Sequence, residues 1–487
     1  MSVLDIINGT TKKQNKWVLP IKVTELNEAQ TNIIKSIEKN DLVVCQAPAG
    51  CGKTLTAVNV AAHFVATGRK VLFCSKSQKA IDVFTNRLNE IIGFDICMRA
   101  GRKEDNVRQA SAILDLIEHK VDLSNNEKTN LLKYLLFRIK KEAIKLLKSK
   151  HIERLNNLLA DTEERKNLMT IAKMQLQAKR TKKEKIMQQV NFQSLLNTFP
   201  VWSLDMMTLS EQIPLIKDAY DLLIIDEAGQ NEIGICIPAL FRAKKCLCCG
   251  DSAQIKFLSF LEKKKETSFM VAQNIPEHLQ LHYSYRDNSI LDFLTYYAQD
   301  IIMLNENYRT PKNLMDWVNK EFYNNKVVCH IPSKENAIQK IFVKDATTES
   351  TKNLNMKEAE QAILLLKQTI KEYKKTGEKK SIGIIVPFTK QAKLIQDLIM
   401  QTVPYSDIEE FNIIASSVFS FQGDERSTII FCTTFCDNSP RAMLTYLENR
   451  RNLCVSLSRA KERMYVLYNT ENLRGGILQR FLESIPA

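Results

Sequence analysis

Short apolar runs, each closed by small or charged residues, punctuate this chain. Leu42-Val43-Val44-Cys45, Lys70-Val71-Leu72-Phe73-Cys74, Asp221-Leu222-Leu223-Ile224-Ile225 and Cys246-Leu247-Cys248-Cys249 are nearly continuous rather than alternating. Such runs suit strands covered on both faces, as in a parallel sheet. Between them the period changes to that of a helix. Ile33, Ile34 and Ile37 share one face after Leu26-Asn27-Glu28-Ala29-Gln30, and residues 55–66 form a second helical segment that stops at Gly68. Near residue 275 the alternation restarts. Apolar strands are expected at 341–343, 382–386, 412–415, 428–432 and 464–468, with helices between them, including 356–373 before Gly377. The pattern predicts an α/β protein with two parallel-sheet domains, residues 1–92 plus 200–275 and residues 276–487.

Residues 102–199 contain neither glycine nor proline, and Leu132, Leu135, Leu136, Ile139, Ala143, Leu146, Ile152, Leu155 and Leu159 recur at helical spacing. Residues 93–199 are therefore expected to be a helical insertion in the first domain. Within 131–190 there are sixteen Lys/Arg against six Asp/Glu. Lys179 and Arg180, in the densest basic cluster, are candidate nucleic-acid contacts. A solvated charged helix gives the same pattern.

Composition narrows the class. The 487 residues are 44% hydrophobic and 25% charged, as in soluble globular proteins, and the net charge of +14 suits a polyanionic partner. No run has the apolar length of a membrane span, and the first ten residues lack the pattern of a signal peptide. The twelve cysteines form no paired Cys-x-x-Cys set, and the six histidines do not cluster with them. Reduced thiols in an intracellular compartment, with no structural metal, are expected.

The chemistry gathers at the ends of the predicted strands. Gln46-Ala47-Pro48-Ala49-Gly50-Cys51-Gly52-Lys53-Thr54 lies between a strand and a helix. Backbone N–H groups of Ala49, Gly50, Cys51 and Gly52 can turn toward phosphate oxygens there. Lys53 adds a point charge, Thr54 a hydroxyl for Mg²⁺, and the helix its dipole. Asp226-Glu227 ends another strand, where paired carboxylates need a cation or a reacting water to face. Asp226 suits Mg²⁺ and Glu227 the attacking water. Gln254, after Gly250-Asp251, suits a γ-phosphate sensor. Ser75, Lys76 and Ser77, after the second strand, fit either a nucleic-acid backbone or a capped helix. Gln30 fits either an adenine edge or an exposed helix surface. The second domain has no phosphate loop of its own, but its loops carry arginines.

These motifs, in this order, resemble those of superfamily 1 helicases. The branch is the one that includes the nonsense-mediated-decay RNA helicases and the Okazaki-processing helicase-nucleases. The resemblance spans residues 26–469 apart from the insertion and implies two RecA-like domains. It implies that Gln30 reads adenine, that Tyr308 stacks on it, and that Arg309 and Arg459 contact the γ-phosphate. Arg286, in Tyr283-Ser284-Tyr285-Arg286, competes with Arg309. Gln422-Gly423-Asp424-Glu425 resembles the segment joining ribose or phosphate to the nucleic-acid path, with Glu425 toward the nucleotide. Gln391 and Ser420 complete the candidate nucleic-acid contacts. Ala47 and Gly229 depart from the family pattern without removing a chemical group.

The resemblance implies an ATP- and Mg²⁺-dependent translocase or helicase acting as a monomer on single-stranded or forked DNA or RNA, with 5′ to 3′ polarity and an unidentified recruiting protein. A nucleic-acid-stimulated ATPase that strips bound protein without unwinding is the alternative. A scaffold with a decayed ATP site conflicts with the intact Lys53, Asp226, Glu227, Gln254 and Arg459.

Overall fold

A computed structural model describes residues 6–7, 19–93, 95–118, 147, 149, 152–153, 155–157, 160–177, 192–349 and 353–486. Lys179, Arg180 and the helical segment expected near 132–146 lie outside the described residues. The chain divides into two compact units. The first is Met1–Ala47, Lys53–Asp251 and Phe257–Leu304; the second is Pro48–Gly52, Ser252–Lys256 and Asn305–Ala487.

The first unit is built on a seven-stranded sheet. Its strands are β1 (Leu42–Gln46), β2 (Val71–Ser75), β3 (Cys97–Ala100), β4 (Val201–Asp205), β5 (Tyr220–Asp226), β6 (Ala243–Gly250) and β7 (Asp300–Met303). Their order is β3-β4-β2-β5-β6-β1-β7, and every pairing is parallel. The continuous apolar runs become central strands because helices cover both faces of the sheet. Leu42, Val43, Val44 and Cys45 are all fully buried, as are Leu222 through Ile225. All strands point one way, so β1, β5 and β6 deliver their following loops to one edge of the sheet, where α/β folds bind ligands.

Two boundaries differ from the sequence reading. Residues 276–304 belong to the first unit, not the second. β7 pairs with β1 from Val43↔Asp300 to Gln46↔Met303, and Leu291 packs so closely over Gly250 that an added Cβ there would lie 2.7 Å away. The insertion also begins later than expected. Cys97–Ala100 is an edge strand paired with β4, not helix. The described insertion helices, Lys103–Glu118, Thr162–Gln177 and Phe192–Thr198, pack on the first unit. Ile113, Leu168, Ile171 and Leu196 join the same buried cluster as Trp202 and Leu223.

The second unit carries a parallel five-stranded sheet of order β10-β14-β13-β11-β12. It comprises β10 (Ile338–Phe342), β11 (Ile382–Val386), β12 (Ile414–Ser417), β13 (Arg426–Cys432) and β14 (Ala460–Tyr468). A separate parallel pair, β8 (Glu306–Pro311) and β9 (Val328–Ile331), flanks the helix Lys312–Tyr323. The helix Met356–Thr376 starts on an Asn355 cap and stops at Gly377, whose φ is +70°.

Candidate active site

The end of β1 leads into the phosphate loop, whose Pro48–Gly52 group with the second unit, and then into the helix Lys53–Ala66 of the first. Gly50 and Gly52 have φ values of +83° and +79°, which glycine adopts without steric cost. Ala47 is buried, and its N–H donates to Gly250 O at 2.8 Å, tying the loop's entry to the end of β6. An alanine therefore serves at this departure from the family pattern.

Lys53 opens the helix and contacts both carboxylates at the end of β5. Its ammonium is in direct contact with Glu227 and lies 3.4 Å from Asp226 Oδ1. Burial pulls the Lys53 pKa down, but Asp226 and Glu227 outweigh it and hold the ammonium well above its ordinary range. Burial pushes the Asp226 carboxyl up against the opposing pull of Lys53. Asp226 is 3% exposed, and its Oδ1 has no hydrogen-bond partner among the described residues. A buried carboxylate oxygen whose nearest cation is the Lys53 ammonium at 3.4 Å, with the Thr54 hydroxyl on the helix that Lys53 opens, is a hard oxygen donor set that fits Mg²⁺.

Glu227 has a φ of +51°, unusual outside glycine, at the turn from β5 into Ala228–Gln230. Gln230 Nε2 donates to its Oε2 at 3.1 Å, and Asn231 Nδ2 donates to its main-chain oxygen at 3.2 Å. The turn is thus clamped from its own following residues. Gly229 is not required by crowding, since an added Cβ would be 3.8 Å from its nearest neighbour, Asp251 O. Gln30 is buried at 3% exposure rather than solvent-facing. Its side-chain oxygen accepts from Asn27 N at 3.1 Å in a reciprocal cap of the helix Glu28–Lys39.

The second unit gathers the arginines. Arg309, on β8, is in direct contact with Glu425 and donates through Nη2 to Ser458 O at 3.2 Å. Glu425 is also held by Lys461 at 2.8 Å. Burial raises the Glu425 pKa, but Arg309 and Lys461 together leave it below its ordinary value. Arg459 is 5% exposed and donates to Val455 O at 3.0 Å and Ser458 Oγ at 3.1 Å. Arg286, the competitor in the first unit, has an ion pair with Asp287 at 3.7 Å and a half-exposed side chain. Gln254 is buried, and the next residue's carbonyl, Ile255 O, accepts from Gln422 Nε2 at 3.0 Å.

Sequence reasoning missed Asn307. It is fully buried on β8; its Oδ1 accepts from Arg309 N and Thr310 N, both at 2.9 Å, and its Nδ2 donates to Ala49 O at 3.0 Å. It shapes the Tyr308–Arg309 strand while holding the phosphate-loop backbone. An amide one residue before the tyrosine-arginine pair was its signal. Tyr308 is half-exposed and stacks on His330 with centroids 4.2 Å apart and planes 3° from parallel; Glu306 contacts both polar ends.

Two nucleic-acid expectations are corrected. Gln391 is fully buried, accepting from Asn355 N and donating to Asn355 O, both at 2.9 Å, so its amide holds a helix start instead of reaching a ligand. Ser75 is fully buried, with its hydroxyl accepting from Ser77 N. Ser77 caps the helix Gln78–Ile92 by accepting from Ala80 N. Lys76 is exposed and donates to Gln230 O at 3.3 Å, and Ser420 is exposed beside Ser417.

Comparison with known proteins places this geometry in context. Two family models, each described as an AAA domain, match residues 25–256 and 286–471. The Mycoplasma genitalium protein named Uncharacterized ATP-dependent helicase MG140 is 29% identical over 296 residues, covering 56% of this chain and 25% of that protein. DNA polymerase alpha-associated DNA helicase A of Saccharomyces cerevisiae is 22% identical over 92% of this chain and 65% of its own length. DNA-binding protein SMUBP-2 of Mus musculus is 21% identical over 99% of this chain and 46% of its own. The chain thus spans a quarter to about two thirds of the length of these relatives.

Proposed function

We propose, from the match to two family models and to named helicases, that the chain is a superfamily 1 helicase, an ATP-hydrolysing motor on nucleic acid. The observation that carries the reading is the cluster of Lys53, at the start of the helix after the phosphate loop, with the buried Asp226 and the partly buried Glu227 at the end of β5. In this reading the loop amides from Ala49 to Gly52 and the Lys53 ammonium bind the phosphates. Thr54 and Asp226 would hold Mg²⁺, which would supply positive charge against the developing phosphate charge. Glu227, aimed by Gln230, orients the attacking water and takes its proton. Gln254 senses the γ-phosphate. Arg309 and Arg459 exchange their present carboxylate and carbonyl partners for γ-phosphate oxygens in the ATP-bound state. Tyr308, backed by His330, stacks on adenine, and Gln30 reads its edge.

The substrate is single-stranded or forked nucleic acid, moved along in the 5′ to 3′ direction by a monomeric motor. Lys76, Ser77 and Ser420 are its candidate contacts. Among the described residues no helix is long and apolar enough to cross a membrane. A strand-displacement assay tests the reading. Duplexes with a 5′ or a 3′ single-stranded tail are offered with Mg²⁺ and ATP, and ATP-dependent release from the 5′-tailed duplex is expected. ATPase stimulation without release from either duplex, accompanied by ATP-dependent clearance of a protein-blocked strand, would replace unwinding by protein stripping.

A further inference from the structure

In the first unit, residues 257–262 lead into the helix Lys263–Ala272. Phe257 is 7% exposed and packs edge-on against Tyr285. The next residues face outward: Leu258 is 65% exposed and Phe260 is 96%, the most exposed large apolar side chain among the described residues. The segment is tethered. Phe257 N donates to Gly229 O at 3.0 Å, and Leu261 N to Ser259 Oγ at 3.2 Å. Its base is therefore the turn that carries Glu227 and Gln230.

Charge around the ring is one-sided. Lys263, Lys264 and Lys265 are exposed in the next helical turn. Lys265 has Glu262 at 3.7 Å, whereas Lys263 and Lys264 have no ion pair among the described residues. The other nearby carboxylate, Glu266, is buried and turned inward, accepting from Ser284 Oγ and Arg286 N. An outward aromatic ring followed by unpaired ammonium groups matches a polymer that alternates flat bases with phosphates. A purely apolar protein surface would leave those lysines without counter-charges.

We propose that Leu258 and Phe260 form a base-stacking step for single-stranded nucleic acid, with Lys263 and Lys264 on the adjoining phosphates. The inference deepens the motor reading and rests on it. It also places a substrate-binding step one hydrogen bond from the turn that aims Glu227, a route by which occupancy of the strand site reaches the hydrolytic carboxylate.

The test is equilibrium binding of fluorescent oligo(dT) and oligo(rU) across a salt series. Phe260→Ala is expected to weaken binding by roughly 5- to 100-fold with the salt slope unchanged, since stacking releases no counterions. Phe260→Trp should restore affinity, and Lys263→Glu with Lys264→Glu should reduce the slope by about 0.7 for each phosphate no longer neutralised. The ring is exposed, so the thermal unfolding midpoint of Phe260→Ala should match wild type. Weaker binding of both polymers supports a stack indifferent to the sugar; weaker binding of one supports the step and assigns the polymer. Wild-type affinity in Phe260→Ala overturns the proposal while the motor reading stands. The same result with a changed sedimentation mass assigns the patch to association between copies of the chain. If the wild-type protein binds neither oligonucleotide, the motor reading itself fails.

Discussion

The Lys53 ammonium lies 3.4 Å from Asp226 Oδ1, a buried oxygen with no hydrogen-bond partner among the described residues. Lys53 is shared with Glu227, so one ammonium faces two carboxylates, and Mg²⁺ would supply the remaining charge in the proposed site. Asp226→Asn should therefore remove the advantage of Mg²⁺-ATP over metal-free ATP. Calorimetric titration with ATP plus Mg²⁺, and with ATP plus chelator, measures that difference. Retention of the full Mg²⁺ advantage in the variant would move the metal elsewhere.

Glu358 gives the second unit a predictable pH response. It is fully buried; Oε1 accepts from Asn469 Nδ2 at 2.7 Å and Thr434 N at 2.8 Å, while Oε2 has no hydrogen-bond partner among the described residues. Burial raises its pKa from 4.5 to about 7, against the opposing effect of those donors. The folded state thus keeps a proton that the unfolded chain releases above about pH 4.5. Its stability contribution is complete below that pH and is lost as pH rises toward 7, by about 3 kcal/mol in total. Thermal melts of Glu358→Gln should show a flatter dependence between pH 5 and 7 than wild type. An equally steep wild-type and variant profile would assign the dependence to other groups.

Arg309 and Arg286 compete for one role, and their surroundings separate them. Arg309 contacts Glu425 and Ser458 O, while the half-exposed Arg286 faces Asp287. Arg459→Ala should reduce kcat by roughly 10³-fold or more with a much smaller change in nucleotide affinity, as for a group acting on transition-state charge. Arg309→Ala should behave likewise, and Arg286→Ala should be milder. Steady-state ATPase assays of the three variants decide it; a larger kcat loss for Arg286→Ala than for Arg309→Ala reverses the assignment.

The parts of the fold legible in sequence were those buried on both faces. β1, β2, β5 and β6 read directly because nothing polar interrupts their cores. β3 escapes the sequence pattern because Arg99 breaks its apolar run; the buried charge is met by Asp82 and Asp105, brought in by two other elements, and by Gln78 Oε1. β7 is an edge strand whose Asp300 accepts from Ser36 Oγ, a contact 264 residues apart in sequence. The Lys53, Asp226 and Glu227 cluster was visible because each residue follows a strand at one edge of the sheet. Gln391 misled for the opposite reason. Its partner, Asn355, lies 36 residues away, so a helix-surface glutamine and a buried backbone clamp look alike in sequence. Gln30 is buried too, with its Oε1 accepting from Asn27 N, a setting that a helix glutamine does not announce in sequence.

The most direct test of the central claim separates binding from turnover at the carboxylate beside Lys53. Glu227→Gln preserves shape and leaves the Asp226 oxygen in place, but removes the base; Lys53→Ala removes a phosphate ligand. Nucleotide binding and single-turnover hydrolysis of radiolabelled ATP are measured on both variants in the presence of single-stranded nucleic acid. The account predicts that Glu227→Gln binds ATP with near wild-type affinity and leaves it unhydrolysed, and that Lys53→Ala loses affinity as well as turnover. Near wild-type hydrolysis by Glu227→Gln would contradict it.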